Sequence, residues 1–215
     1  MVTLLGESSV TILGAMNTTT VLLDPFLDRG VLALAAAAST PEAVALLVRY
    51  GSGYLQVGIG PAVRSRLRLH RMSGTGPDSR ALLSVDLAAG SGTGISAHDR
   101  SATIRALARP DSGPDDFHHP GHVPVVLVPE LGSAPPRARA AAAALRLAAA
   151  STGVAVAAFT DLVDPADPLR MADVAAARRF AHRHGLPVVD ISETADLARC
   201  WPPAGDQAGV LATAG

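Results

Sequence analysis

Short apolar runs alternate with longer segments of helical periodicity along most of the chain. Runs rich in Val, Ile, Leu and Thr, bounded by Gly, Pro or Asp, are typical of buried strands. They predict strands at residues 18–23, 31–36, 54–59, 82–86, 123–128, 154–159 and 186–190, with 10–12 as a further strand or half of a broken hairpin. Apolar residues three or four apart predict helices at 41–50, 61–69, 96–107, 138–150, 169–184 and 192–199. This alternation favours an α/β fold.

Capping signals mark several of these helix ends. Ser39 to Glu42 form a capping-box pattern with a proline in the first turn, and Ser96 with Asp99 repeats that logic after a glycine-rich turn. Gly51 and Gly185 end two other helices. The segment 115–122 is predicted to be a loop. Since no linker-like stretch divides the middle of the chain, we predict one domain over residues 1–200 and a disordered tail over 201–215.

The composition excludes several classes of function. Hydrophobic residues make up 48% of the chain and aromatic residues 3%, so Ala, Leu and Val must fill the core. All 18 basic residues are arginine, which excludes a lysine Schiff base and a phosphate-loop lysine. Arginine can still bind phosphate or carboxylate groups bidentately. A formal net charge of -1 without a basic stripe argues against nucleic-acid and membrane partners.

Cysteine content and the pattern of the first residues predict a cytoplasmic protein. Cys200 is the single cysteine, and the first residues lack a basic region that leads into an apolar one. The longest uncharged apolar stretch, residues 147–160, is too short to cross a bilayer.

Two glycine-containing segments carry candidate binding residues. Residues 93–100 place Thr93, Ser96 and Arg100 around a helix start, which suits an anionic or polyhydroxylated ligand. An ordinary helix cap with solvated charges would give the same pattern. Residues 49–53 are either a ligand-binding turn or a plain helix stop.

Three histidines around a Pro-Gly pair, His118, His119 and His122, form the densest chemical cluster. Imidazoles can serve as general acid or base at neutral pH. With Asp115 and Asp116 upstream a transition-metal site is an alternative, and solvent-exposed histidines are another. The turn at residues 90–94 matches no nucleotide-binding motif, and no cofactor is expected.

In order along the chain, the segments 49–53, 93–100, 119–123 and 180–190 resemble the motifs of the 3,4-dihydroxy-2-butanone 4-phosphate synthase family of riboflavin biosynthesis. The family patterns are Arg-His-Gly-Ser-Gly, Thr-Gly-x-Ser-Ala-x-Asp-Arg and Arg-Pro-Gly-His-Val, and the resemblance extends over residues 18–200. It implies a single-domain, sandwich-like α/β fold with a mixed sheet and flanking helices. It also implies a homodimer with shared active sites, and a lyase reaction that converts ribulose 5-phosphate into dihydroxybutanone phosphate and formate.

Magnesium in that family is held by a Glu of an acidic loop and by a His at a helix start. The segment matching the acidic loop is 23–31, where Pro25, Phe26 and Leu27 occupy the centre. The segment matching the helix start has Arg137 and Arg139, then an alanine run. The resemblance therefore implies that both magnesium ligands are missing, which would remove a Lewis acid that contributes several kcal/mol to the reaction.

We therefore expect a diverged family member whose metal-independent acid-base chemistry acts on a small polar or phosphorylated metabolite. His122 is the expected proton shuttle, and Asp99 is expected to orient or assist it. The expected substrate-binding residues are Arg49, Ser52, Thr93, Ser96, Arg100, His119, Arg137, Arg139 and Asp161.

Two alternatives remain open. One is a non-catalytic protein, either a ligand-binding pseudoenzyme or a dimerising partner of an active relative; a pocket filled by Phe26, Leu27 or Tyr54 would favour a structural role. The other is an active synthase with replacement metal ligands, drawn from Asp24, Asp28, Asp161 and the histidine cluster.

Overall fold

The computed structural model describes residues 16–72, 80–90, 92–129 and 131–194. The predicted strand at 10–12, the tail 201–215 and Cys200 lie outside these ranges, as does most of the predicted helix 192–199. The described strands are β1 (Thr20–Asp24), β2 (Arg29–Ala35), β3 (Gln56–Ile59), β4 (Val85–Leu87), β5 (Phe117–Val123), β6 (Val125–Leu127), β7 (Val156–Asp161) and β8 (Val188–Asp190). The helices are α1 (Pro41–Tyr50), α2 (Pro61–Arg66), α3 (Ala97–Ala108), α4 (Arg139–Thr152) and α5 (Val174–His184).

Six strands form a mixed sheet in the order β6-β3-β7-β2-β1-β8. Strands β1 and β2 are an antiparallel hairpin in which Asp24 pairs with Arg29, and β2 continues antiparallel to β7. The outer strands β8 and β6 pair in parallel with β1 and β3. The expected fold class, a mixed sheet with flanking helices, is confirmed.

Helices cover both faces of this sheet, which explains the continuous apolar runs of its strands. Val21 and Leu23 of β1 belong to the core that includes residues of α1, α3 and α5. Leu22, between them, belongs to the core built with α4. The alanine run lets α4 lie close to the sheet. A Cβ at Gly58 of β3 would lie 2.6 Å from a methyl of Leu145 in α4.

The helix starts follow their capping residues. Thr40 Oγ1 accepts the backbone N–H of Ala43 at 3.2 Å at the start of α1. The predicted helix 169–184 begins later than expected, at Val174, because Asp173 caps it and turns occupy residues 164–170. In the described ranges, no helix has the length and apolar character needed to cross a membrane.

A separate two-stranded sheet, β4 with β5, corrects two expectations. Residues 117–122 lie in β5 rather than in a loop, since their backbone pairs with β4 although most of their side chains are exposed. The predicted strand 123–128 is divided between two sheets at Pro124, where β5 ends and β6 begins. The histidine segment is therefore held on a strand.

Candidate active site

The β4–β5 pair holds His122 against a carboxylate that was not expected there. The His122 backbone N–H donates to Asp86 Oδ1 at 2.9 Å, and its ring Nδ1 lies 2.7 Å from Asp86 Oδ2. The Asp86 side chain is 13% exposed and that of His122 is 43% exposed. Two contacts from one carboxylate restrict both the backbone and the ring of His122. The imidazole is thus oriented before any ligand arrives.

The glycine-rich loop 92–96 lies directly against this pair. Gly94 has a φ of 77°, which favours glycine, and a Cβ at this position would overlap the Asp86 carboxylate. Gly121 packs just as closely on the backbone of Val85 and Asp86. The sequence segments 93–100 and 119–123 are therefore neighbours in space, as their candidate roles require.

Asp99 is bound within the glycine-rich loop. Its Oδ1 accepts the backbone N–H of Gly92 at 3.2 Å, and its own N–H donates to Ser96 Oγ at 3.0 Å. The carboxylate that contacts the His122 ring is Asp86. Asp99 instead folds the glycine-rich loop back onto the start of α3. A role for Asp99 in orienting or assisting His122 stays a prediction.

These contacts favour the ionised form of Asp99. The backbone N–H of Gly92, followed by the Ser96 hydroxyl, holds the pKa of Asp99 below its ordinary value; partial burial opposes this shift. The carboxylate also lies in the first turn of α3, where the helix dipole favours a negative charge.

The polar residues of this segment remain open to a ligand. Thr93, Ser96 and His119 are exposed. The Arg100 Nε atom is buried and has no hydrogen-bond partner within the described parts of the chain. A buried guanidinium N–H without a partner is costly, and an anionic ligand would supply one.

A second cluster is centred on Arg29, at one end of strands β1, β2 and β7 of the main sheet. Arg29 Nε donates to Asp24 Oδ2 at 3.2 Å, and its Nη1 donates to Asp161 Oδ1 at 2.8 Å. Its Nη2 donates to the carbonyl of Arg137 at 3.1 Å. The cluster thus joins the β1–β2 turn, the end of β7 and the turn that precedes α4. Asp161 and Arg137, both expected in the site, lie here.

The turn after α1 is fixed to the same end of β7. Thr160 Oγ1 donates to the carbonyls of Gly51 and Tyr54, at 3.2 and 2.9 Å. Ser52 is exposed and has a φ of 54°, a strained conformation for a residue other than glycine. Arg49 is exposed, with its guanidinium 5.4 Å from the centre of the Tyr50 ring. This strained turn is consistent with a ligand-binding role.

Three large side chains that would favour a structural role if they filled the pocket are exposed. Phe26 is 65% exposed, Leu27 is 37% exposed and Tyr54 is 63% exposed. The Arg139 guanidinium lies 5.5 Å from the Phe26 ring centre. These exposures do not support a purely structural role, which would need these side chains packed into the pocket.

The candidate metal ligands do not converge. Asp24 and Asp161 are both bound to Arg29, whereas Asp28 accepts the backbone N–H of Val174. The histidines lie on the other sheet. Within the described ranges, no group of three or more His, Cys, Asp or Glu side chains could hold a metal ion.

Asp86 and Arg29 are the two site residues to which sequence reasoning assigned no role. Asp86 ends a predicted strand just before a glycine-rich turn, a position at which polar residues often serve a site. Arg29 follows a short turn after Asp24, and the hairpin pairs the two residues. Neither contact could be predicted from spacing alone, because Asp86 is 36 residues from His122 and Arg29 is 132 residues from Asp161.

Comparison with known proteins agrees with this architecture. The sequence model of the 3,4-dihydroxy-2-butanone 4-phosphate synthase family matches residues 21–197. Riboflavin biosynthesis protein RibBA of Mycolicibacterium gilvum (strain PYR-GCK) is 38% identical over 175 residues, which cover 80% of this chain and 41% of that protein. RibBA of Rhodococcus jostii (strain RHA1) is 40% identical over 169 residues, which cover 77% of this chain and 40% of that protein. The chain therefore spans about two fifths of these relatives.

A solved structure matches over a larger share of its own length. It is a 3,4-dihydroxy-2-butanone 4-phosphate synthase in complex with two magnesium ions, with a TM-score of 0.78 and 27% sequence identity. The match covers 89% of this chain and 96% of that one. The fold, the family match and the order of the site motifs lead to one conclusion: this chain belongs to the 3,4-dihydroxy-2-butanone 4-phosphate synthase family.

Proposed function

We propose that this protein is a diverged acid-base enzyme of its family, which moves protons on a small phosphorylated polyhydroxy metabolite without a metal ion. The observation that carries this proposal is the 2.7 Å contact between His122 Nδ1 and Asp86. An imidazole held by a carboxylate is the usual arrangement of a general base.

The contact selects which ring nitrogen can react. Since Asp86 occupies Nδ1, the neutral imidazole carries its proton there and presents Nε2 as the base. With 43% of its side chain exposed, His122 is within reach of a ligand and of bulk water. It can therefore take a proton from a carbon next to a carbonyl, return it to another atom, and exchange it with solvent.

Polar groups at the start of α3 could bind an anionic ligand. The Arg100 Nε atom lacks a protein partner in the described residues, and Ser96 and Thr93 are exposed beside the start of α3. An arginine at a helix N-terminus suits a phosphate. Arg137 and Arg139, exposed beside the second cluster, are further candidates for the same anion.

The homodimer implied by the family resemblance remains part of the proposal. The β4–β5 cluster and the Arg29 cluster each contain expected site residues, and a dimer with shared active sites would combine one cluster from each subunit. The cytoplasmic location stays a prediction as well.

The test uses ribulose 5-phosphate as the probe, in D₂O with EDTA, followed by proton NMR. We expect carbon-bound hydrogen to exchange for deuterium in the wild type. The His122→Gln variant should lower the exchange rate by about 100-fold or more, a typical general-base contribution. His118→Gln is the matched control: this exposed histidine lies on the same strand, and its loss should leave the exchange unchanged.

Two results would contradict the proposal. Formate release that requires added magnesium would show an active synthase with replacement metal ligands. Absence of both exchange and formate in a folded wild-type protein would remove the acid-base role on this substrate and favour a ligand-binding pseudoenzyme.

A further inference from the structure

Beyond the acid-base role of His122, we infer that the Arg29 guanidinium is the resident cation of the second cluster, where it excludes a divalent metal. Arg29 opens β2, directly opposite Asp24 in the hairpin. From there it contacts two carboxylates and one carbonyl, which come from three segments far apart in the sequence. Three of its five N–H donors are thereby used.

Burial makes the Asp24 carboxylate depend on this cation. The Asp24 side chain has no solvent exposure, and that of Arg29 is 19% exposed. A buried carboxylate is stable in its charged form only with a partner, and arginine remains charged at every physiological pH. Asp24 Oδ1 also accepts the backbone N–H of Leu27 at 3.3 Å, so both oxygens of this carboxylate are used.

The same contacts engage the carboxylates that a metal ion in this cluster would need. Asp24 and Asp161 are the carboxylates of this cluster, and both are paired with Arg29. The turn between β1 and β2 adds the apolar side chains of Phe26 and Leu27, and the first turn of α4 adds alanines. A dication would have to displace the guanidinium and would be repelled by it at short range. We assign to Arg29 the positive charge that a metal would otherwise supply here.

Metal binding without substrate tests this inference, with Mn²⁺ as the probe. Calorimetry and the loss of the free-ion EPR signal would be measured for the wild type and for Arg29→Glu and Arg29→Gln. We expect no wild-type binding tighter than about 1 mM, the range of very weak protein sites. Arg29→Glu, which adds a third carboxylate, should bind Mn²⁺ at least about 10-fold more tightly because two units of charge change beside the ion.

Arg183→Glu is the matched control, since it makes the same charge change on an exposed face of α5 and should gain no site. Arg29→Gln guards against misfolding, because it keeps a polar side chain and should bind Mn²⁺ more tightly than the wild type if the charge of Arg29 is what excludes the ion. One-to-one wild-type binding with Kd below about 0.1 mM would overturn the inference. Folded Arg29→Glu and Arg29→Gln variants that bind Mn²⁺ no more tightly than the wild type would overturn it too.

These binding measurements do not depend on His122. Failure of the proposed function would therefore be detected separately, in the deuterium-exchange assay.

Discussion

Replacing Asp86 by asparagine isolates the charge that holds His122. Asparagine has nearly the same shape, and its carbonyl oxygen can still accept the His122 backbone N–H. Its amide group would then face ring Nδ1 with N–H donors where Asp86 offers an acceptor. The ring is thereby driven to carry its proton on Nε2, which can no longer act as the base. The variant changes the imidazole tautomer while the strand pairing of β4 and β5 is kept.

The structure sets the size of this effect. A hydrogen bond to a charged group contributes about 1.5–3 kcal/mol. Because 43% of the His122 side chain is exposed, solvent screening lowers this contribution to about 1–2 kcal/mol. With about 1.4 kcal/mol for each factor of ten, kcat should fall roughly 5- to 30-fold. KM should change by less than about 3-fold, because Asp86 acts through His122 and not on the ligand.

The assay combines deuterium exchange into ribulose 5-phosphate with nitrogen NMR of the imidazole, which distinguishes the two tautomers. Ser84→Ala is the control, since the Ser84 hydroxyl accepts the N–H of Gly121 at 3.2 Å without touching the His122 ring. An unchanged tautomer and unchanged kcat in folded Asp86→Asn would refute the reasoning. A loss of the same size in Ser84→Ala would show that strand packing, and not the carboxylate, is responsible.

Two further predictions concern stability. The pKa of Asp99 is lowered chiefly by the Gly92 N–H, so its stabilising effect exists above the unfolded pKa of about 3.9 and is lost as pH falls through the lower folded value. Asp99→Asn should therefore be less stable than the wild type at pH 7 in urea unfolding, and the difference should shrink as pH falls below the unfolded pKa; a constant difference would contradict this. Gly58→Ala should cost about 1–3 kcal/mol in the same measurement because its Cβ would lie 2.6 Å from a methyl of Leu145. Gly60→Ala, with open space around it, should cost less than about 1 kcal/mol, and equal losses would mean that overpacking is not the cause.

Much of the main sheet could be predicted from local patterns. The apolar runs of β1, β2 and β7 are continuous because helices cover both faces, and such runs are recognisable without any tertiary information. The starts of α1 and α3 follow their capping residues, Thr40 and Ser96. The fifth strand was missed because its side chains are polar and mostly exposed, so only backbone pairing with β4 reveals it.

The site followed from the sequence only in part. The histidine and glycine-rich segments are candidates from the sequence alone, but the sequence pointed to Asp99 of α3 as the carboxylate beside His122, whereas Asp86 of β4 makes the contact. Asp99 has the right chemistry and is adjacent to the glycine-rich turn in sequence, whereas Asp86 reaches His122 across 36 residues. The number of residues between two positions does not show whether Asp86 or Asp99 lies beside the His122 ring, because the pairing of β4 with β5 decides this.

The sequence by itself determined the α/β class, the arginine-only basic chemistry and the segments from which the site is built, because periodicity, capping and composition are local properties. Only the tertiary structure decided that Asp86 holds His122 and that Arg29 bridges Asp24 and Asp161. Those contacts depend on the register of β4 against β5 and of β2 against β7. Register is fixed by packing on both sheets, and a shift of one residue would turn each of these side chains to the opposite face.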